Sequence, residues 1–254
     1  MRWHLHSVSP SKVGVFICSS DNRLDILDRV LPSVLKFWPD CPYAIYVGLN
    51  TPNGTWEKVT TLVAAPSEWR TEVLEQIGQI PETHLIVILD DFLFQDRVDQ
   101  SRLSRLVDEA IDRKLPYLRL LPLRKSLSQR LIRSRTRSTD DIQSIRSGRP
   151  FFSGLQIALW KKEHFASLLE LRGSIWDFEH RQKPGIPHYV ITSSAPIKYR
   201  HLVEKGRWLP YATSLLRLAN LSTDLGSRRR WSAWMKLRLL VDEARFFLLG
   251  YANH

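Results

Sequence analysis

The chain has 254 residues, is 43% hydrophobic and carries a formal charge of +11. That length and apolar content suffice for a full core, so a disordered or fibrous protein is excluded. No apolar run approaches the length that spans a bilayer. The N-terminal Arg2, His4 and His6 lack a following apolar stretch of signal-peptide type, so a cytoplasmic location is expected.

The excess charge is local. Residues 124–149 hold eight Arg/Lys against Asp140 and Asp141, and residues 227–249 hold six against Asp242 and Glu243, leaving the rest nearly neutral. Such patches favour an anionic partner: a phosphorylated substrate, an acidic lipid or nucleic acid. Cys18 and Cys41 form neither a disulfide framework nor a metal-knuckle spacing, and they read as buried thiols.

Val13 to Cys18 (VGVFIC) reads as a buried strand ending at Ser19-Ser20-Asp21. Leu24 to Phe37 is helical, with Leu24, Leu27, Val30, Leu31, Val34 and Leu35 on one stripe, and Pro39 stops it. Strands follow at 43–47 and 59–64, then a helix from Glu68 to Ile80 capped by Ser67. His84 to Leu89 (HLIVIL) is the most strand-like run, and it ends on Asp90 and Asp91. This alternation predicts an α/β fold with a mostly parallel, Rossmann-like sheet flanked by helices. Ligands of such sheets bind at the carboxyl ends of the strands, where Asp21 and the Asp90-Asp91 pair would share a crevice.

A helix from Asp99 to Arg113 and a strand at 117–120 come next. Residues 124–150, rich in Arg and Ser, read as a mobile loop or an excursion over the active face. Leu155 to Trp160 reads as strand, Lys161 to Leu171 as helix, Trp176 to His180 as a short acidic-aromatic element and 197–203 as a last strand before C-terminal helices. The expected division is a domain over 1–210 and a basic, amphipathic helical tail over 211–254.

Two adjacent carboxylates on a rigid strand repel one another, so a divalent cation, Mn2+ or Mg2+, is favourable there. A loop-capping Asp beside a solvated one is the structural alternative. Glu179 could remove a proton from an acceptor hydroxyl with Trp176 and Phe178 as neighbours, and Asp177 competes for that role. A helix start with an acidic first turn is the alternative. Asp21 reads either as a ligand contact at the strand end or as an N-cap. Gln156 and Trp160 suit a sugar, although a Trp at a strand end is more often core. His201 is a candidate metal ligand or diphosphate contact, as are Lys205 and Arg207 for the diphosphate. Arg133, Arg135 and Arg137 would share one face if extended and could grip a diphosphate; a solvated loop is the alternative.

From Arg228-Arg229-Arg230-Trp231 to Leu249, cations, tryptophans and apolar residues recur at helical spacing. This is the pattern of a helix lying in an anionic membrane interface, or of one packed on the domain or on a partner subunit, such as a second copy in a homo-oligomer.

In order, Val15 to Asp21, Phe37 to Tyr43, Asn50, Trp69, Leu89-Asp90-Asp91-Phe92, Leu155 to Trp160 and Trp176-Asp177-Phe178-Glu179 resemble the landmarks of GT-A glycosyltransferases of bacterial capsule and lipopolysaccharide clusters. The resemblance spans residues 13–210. It implies a nucleotide-sugar donor above the N-terminal strands, with Asp90-Asp91 in place of the DxD signature. Asp91 is favoured as the metal ligand, with Asp90 positioning it or touching the ribose. It also implies an inverting mechanism, and a glycan or lipid-linked acceptor at the inner membrane face. The pair departs from a strict DxD because Leu89 and Phe92 flank it. A noncatalytic transferase-like subunit and a nucleic-acid-binding protein are the competing classes. The near-neutral body and the absence of an RNP-like or zinc signature argue against nucleic acid.

Overall fold

The computed structural model describes residues 12–52, 56–122, 141–147, 152–171, 173, 175–180, 185–232, 234, 235, 237, 238 and 241. The expected roles of Arg133, Arg135 and Arg137, most of the basic 124–150 segment, the Trp176 side chain and most of the chain beyond 238 lie outside the described residues.

Strand β1 (Val13–Cys18) is buried along its whole length. Phe16 and Cys18 enter one core cluster while Val13, Val15 and Ile17 enter the other, which is the period-2 signature of a sheet covered on both faces. Helix α1 (Leu24–Phe37) follows a 3-10 turn at Asp21–Arg23, and then come β2 (Ala44–Leu49), β3 (Val59–Val63), α2 (Trp69–Gly78) and β4 (His84–Leu89). After Asp90-Asp91 the chain forms β5 (Phe92–Phe94), α3 (Gln100–Asp112) and β6 (Tyr117–Arg119). The remainder comprises β7 (Ile142–Ser144), β8 (Ala158–Lys161), α4 (Lys162–Leu169), α5 (Ile175–His180), β9 (Tyr189–Ile191), β10 (Tyr199–His201), β11 (Val203–Glu204), β12 (Arg207–Trp208) and α6 (Ala212–Leu218).

The main sheet has the order β3-β2-β1-β4-β8-β6-β9-β7. β1 pairs in parallel with both β2 and β4, whereas β8 runs antiparallel to β4 and β6, and β7 antiparallel to β9. The fold is α/β and Rossmann-like, with a mostly parallel sheet between helical layers. Apolar residues of α1 and α3, including Ile26, Leu27, Val30, Leu103 and Leu106, pack on one face. Val73 and Ile77 of α2, Phe165 and Leu168 of α4 and Phe178 of α5 pack on the other. Ala212 and Leu216 of α6 join the first of these cores.

Several local expectations are corrected. Ser67 does not cap α2: Glu68 is the N-cap residue, and the Ser67 amide instead donates to Glu72 Oε1 at 2.7 Å. The strand expected at Leu155 to Trp160 is Ala158–Lys161, because Tyr117 and the Glu179 carboxylate hold Gly154 and Leu155 in a loop through backbone contacts. The strand expected over 197–203 is divided, because residues 199–201 pair with β5 whereas 203–204 pair with β12. Trp160 lies fully buried among Tyr117, Phe165 and Phe178, so it is core and presents no face to a sugar.

One buried hydroxyl fixes the strand that follows the two aspartates. Ser33, beside Pro32 within α1, donates to the Val30 carbonyl at 2.6 Å and accepts from the Phe94 amide at 3.0 Å. The Ser33→Ala variant leaves the Phe94 N–H unsatisfied in the core. Chemical denaturation should show a loss of about 1–3 kcal/mol, and an unchanged midpoint would refute this role for Ser33.

Candidate active site

In this topology the chain leaves β1 toward β2 and β3 on one side and returns to β4 on the other. The carboxyl ends of β1 and β4 therefore flank a topological switch point, the place where open α/β sheets leave a crevice for ligands. The residues following these strands are Ser19 to Arg23 and Asp90-Asp91.

Asp90 is only 1% exposed, and three donors surround its carboxylate. Arg23 clamps it bidentately, Nε to Oδ2 at 2.6 Å and Nη2 to Oδ1 at 2.5 Å, while the Ser19 hydroxyl donates to Oδ2 at 2.7 Å. Burial pushes the Asp90 carboxyl up and the Arg23 guanidinium opposes that shift; the two-point geometry is that of an ion pair. Asp90 is thus joined to the ends of β1 and α1.

Asp91 is 6% exposed and faces a different partner. Its Oδ2 lies 3.4 Å from His201 Nδ1, a residue 110 positions away in the chain. The second sheet explains the meeting. β10 runs antiparallel to β5 with His201 opposite Phe92, and the Leu202 amide donates to the Asp91 carbonyl at 2.9 Å. Phe92 packs edge-on to the imidazole at 4.6 Å and stacks on Tyr199 at 4.3 Å, which holds the ring beside the carboxylate.

Asp21 does not cap α1. Its Oδ1 accepts from the amides of Asn50 (2.8 Å) and Thr51 (3.2 Å), and its Oδ2 accepts from the Thr51 hydroxyl at 2.5 Å. Against the cost of burial, the Thr51 hydroxyl and these two amides hold its carboxyl below the usual carboxylate range. Asp21 therefore ties the end of β1 to the end of β2, on the same rim as Asp91.

Lys205 and Arg207 fall on the β11–β12 hairpin, whose turn residues Lys205 (φ 48°) and Gly206 (φ 72°) both take positive φ, as in a two-residue primed turn. Arg228 brings this hairpin to the rim. It donates to the Gly206 carbonyl at 3.3 Å, to the Asn22 carbonyl at 2.8 Å, and bidentately to Asp25. The Arg207 guanidinium lies 4.9 Å from the Trp231 ring, a cation–π contact.

Glu179 belongs to a separate cluster. Its Oε1 accepts from the Leu155 amide at 3.0 Å and its carbonyl accepts from the Ser153 amide at 3.1 Å. Phe178 turns into the core against Trp69, Trp160 and Phe165, while Asp177 is exposed. Buried Arg119 lies near enough to Glu179 for the carboxylate to act on its charge.

Three functional-looking residues escaped the sequence reading. Arg23 had a signal: a cation at a helix N-terminus runs against the macrodipole and asks for a partner. Arg119 and His188 had none, because both sit in ordinary apolar runs. His188 Nδ1 lies 3.1 Å from the Phe152 carbonyl oxygen, which only accepts, so Nδ1 carries the proton. Its Nε2 then accepts from His164 Nε2 at 2.7 Å, deep in the second core.

No family model matches the sequence, and no curated protein matches it significantly. Among solved structures, 4-diphosphocytidyl-2C-methyl-D-erythritol synthase aligns with a TM-score of 0.47 at 15% identity, covering 81% of this chain and 97% of that one. TarS of S. aureus aligns with a TM-score of 0.44 at 12% identity, covering 94% of this chain and 44% of that one, so this chain spans less than half of TarS.

The histidine pair sets a pH dependence. Burial, aided by His164 and Arg119 and opposed by the Phe152 carbonyl, pushes the His188 pKa down to about 4. The unfolded chain titrates near 6.5, so between these values it binds a proton that the folded state lacks. Stability should therefore fall as pH drops from about 6.5 to about 4. His188→Gln keeps one donor and one acceptor and should flatten that slope by about one proton. Unfolding midpoints across this pH range test it, and an identical slope in the variant would refute the assignment.

Proposed function

We propose that this chain is a nucleotide-sugar-dependent glycosyltransferase of the GT-A type. The single observation that carries the reading is the meeting of Asp91 and His201, 3.4 Å apart, beside the switch point of a Rossmann-like sheet. A carboxylate in the turn between β4 and β5 and an imidazole on the neighbouring β10 form a donor set that fits Mn2+ better than Mg2+, which prefers oxygen ligands alone. Among the described residues no group of three or more His, Cys, Asp or Glu could hold a metal. Asp91 and His201 would therefore hold the ion as a pair, with phosphate oxygens of the donor as the other ligands. When bound, the cation supplies charge neutralisation for a leaving diphosphate.

Under this reading Asp21 and the hairpin residues Lys205 and Arg207 line the donor rim. Glu179 is the candidate base, with Asp177 as the competing carboxylate. The acceptor hydroxyl oxygen attacks the anomeric carbon as the bond from that carbon to the diphosphate oxygen breaks, and Glu179 takes the hydroxyl proton. Inversion at the anomeric carbon follows from this single displacement. The Leu155 amide engages Oε1 of Glu179 and fixes the carboxylate's orientation.

The acceptor class is a surface glycan, carried on a lipid at the membrane. No helix among the described residues is long and apolar enough to cross a bilayer. The C-terminal segment instead exposes Trp234, Leu237 and Val241, at 69%, 59% and 42%, spaced to share one helical face near Arg228, Arg229 and Arg230. The full chain should sediment with phosphatidylglycerol vesicles at low salt and should not sediment with phosphatidylcholine vesicles. Equal binding to both, or to neither, would refute the membrane role.

A second reading, a transferase-like subunit without turnover, is favoured by the sealing of Asp90 in its ion pair, which leaves two protein ligands rather than three. Mn2+ calorimetry and nucleotide-sugar turnover separate the two. The Asp91→Asn variant should lose Mn2+ affinity and donor hydrolysis by at least about 10²-fold while its unfolding midpoint stays within about 2 °C, a loss of under 1 kcal/mol. Glu179→Gln retains the acceptor for the Leu155 amide, and should bind donor normally while transfer collapses by about 10²–10⁴-fold. Wild-type turnover in either variant would remove that residue from the mechanism.

A further inference from the structure

Asp90 was expected to serve the metal or the ribose, yet its carboxylate is consumed by Arg23 and Ser19. The two ends of the ion pair differ sharply in exposure: the Arg23 side chain is 32% exposed and that of Asp90 2%. A guanidinium has five N–H donors in a rigid fork. Asp90 takes the Nε proton and one Nη2 proton, so both Nη1 protons and the second Nη2 proton remain. Among the described residues no further side chain of the protein engages them. The side chain thus keeps donor capacity beyond Asp90 and reaches solvent at the carboxyl ends of β1 and β4, with Asp91 near enough to act on its charge.

We infer that Arg23 is an anion-binding residue of the crevice, that its free edge takes the diphosphate of the donor, and that Asp90 is its positioning residue rather than a metal ligand. This rests on the reading of the site given above. The charge balance states the condition under which it works. At the ends of β1 and β4 themselves Arg23 and Asp90 cancel, so Asp91 leaves a local charge of about −1 that opposes a bare anion at the guanidinium edge. A divalent ion at Asp91 and His201 reverses that sign, and only then does the guanidinium edge meet a phosphate that the site attracts. Anion and cation should consequently bind in order, the cation first. The fork geometry supports the assignment, because a planar donor edge matches two phosphate oxygens where a lysine offers a single point charge.

Calorimetry with Mn2+ alone, and then with inorganic pyrophosphate in saturating Mn2+, tests this on the full chain. Wild type should bind pyrophosphate only when Mn2+ is present. Arg23→Lys keeps a cation for Asp90 but loses the free edge; it should bind Mn2+ as wild type does and pyrophosphate about tenfold to a hundredfold more weakly. Should that variant unfold, Arg23→Met/Asp90→Leu removes the buried pair as a unit. It should fold, keep Mn2+ affinity within about threefold and show the same pyrophosphate loss. Pyrophosphate affinity at the wild-type level in a folded variant would overturn the inference, as would loss of Mn2+ affinity in the folded double variant, which would make Asp90 a metal ligand. A wild-type protein that binds no Mn2+ would instead defeat the reading on which the inference rests.

Discussion

The site depends on a buried carboxylate that cannot stand alone. Asp90 follows a strand whose interior is almost wholly apolar, and removing an ion from water there costs several kcal/mol unless it is paired. Arg23 and Ser19, from the other side of the switch point, supply the pairing. The ends of β1 and β4 are thereby held together by charge as well as by the backbone ladder that runs from Val13 to Cys18. Breaking such a pair by removing one partner typically costs about 3–5 kcal/mol, so the geometry of the crevice is coupled to the stability of the domain. Asp91, one residue further on, is released from this duty and turned toward His201.

The framework around this pair was largely legible in the sequence. β1, α1 and β4 fall where the apolar periodicity places them, because each is a continuous run or stripe whose burial outweighs any competing local preference. The approach of His201 to Asp91 was legible only as a list of metal-capable residues, since nothing local in Tyr199–His201 states that this strand pairs with Phe92–Phe94. The strands β7 and β9 were missed for the same reason. Three residues carry too little pattern to declare a strand, and their pairing is set by contacts across about 50 residues of chain.

The misread details share a physical origin. Ser67, and Asp21 in one of its two readings, were taken by their local cap chemistry, yet a better partner was available at longer range. The Glu72 carboxylate takes the Ser67 amide, and Asn50 and Thr51 take the Asp21 carboxylate. Trp160 was read as a candidate sugar face for its aromatic surface, with core as the alternative because a Trp at a strand end is more often buried. It lies within β8 inside an aromatic cluster with Tyr117, Phe165 and Phe178, where burying so large a ring contributes more than exposing it could. Long-range satisfaction of polar groups and packing of large apolar ones thus decided what one-dimensional pattern left open.

The strong basicity of the chain and the chemistry of the crevice are separate matters. At the ends of β1 and β4 Asp90 already compensates the charge of Arg23, whereas Asp91 faces the His201 imidazole, and Lys205 and Arg207 stand on the hairpin beside them. The positive excess lies instead in residues 124–149 and 227–249, and of the latter Arg228 is spent on Asp25 in fastening the hairpin to the rim. Under the proposed function an anionic donor would be held only once a cation sits at Asp91 and His201. The order of binding would then be set by the charges at the strand ends, independently of the sugar and acceptor that the proposed function requires.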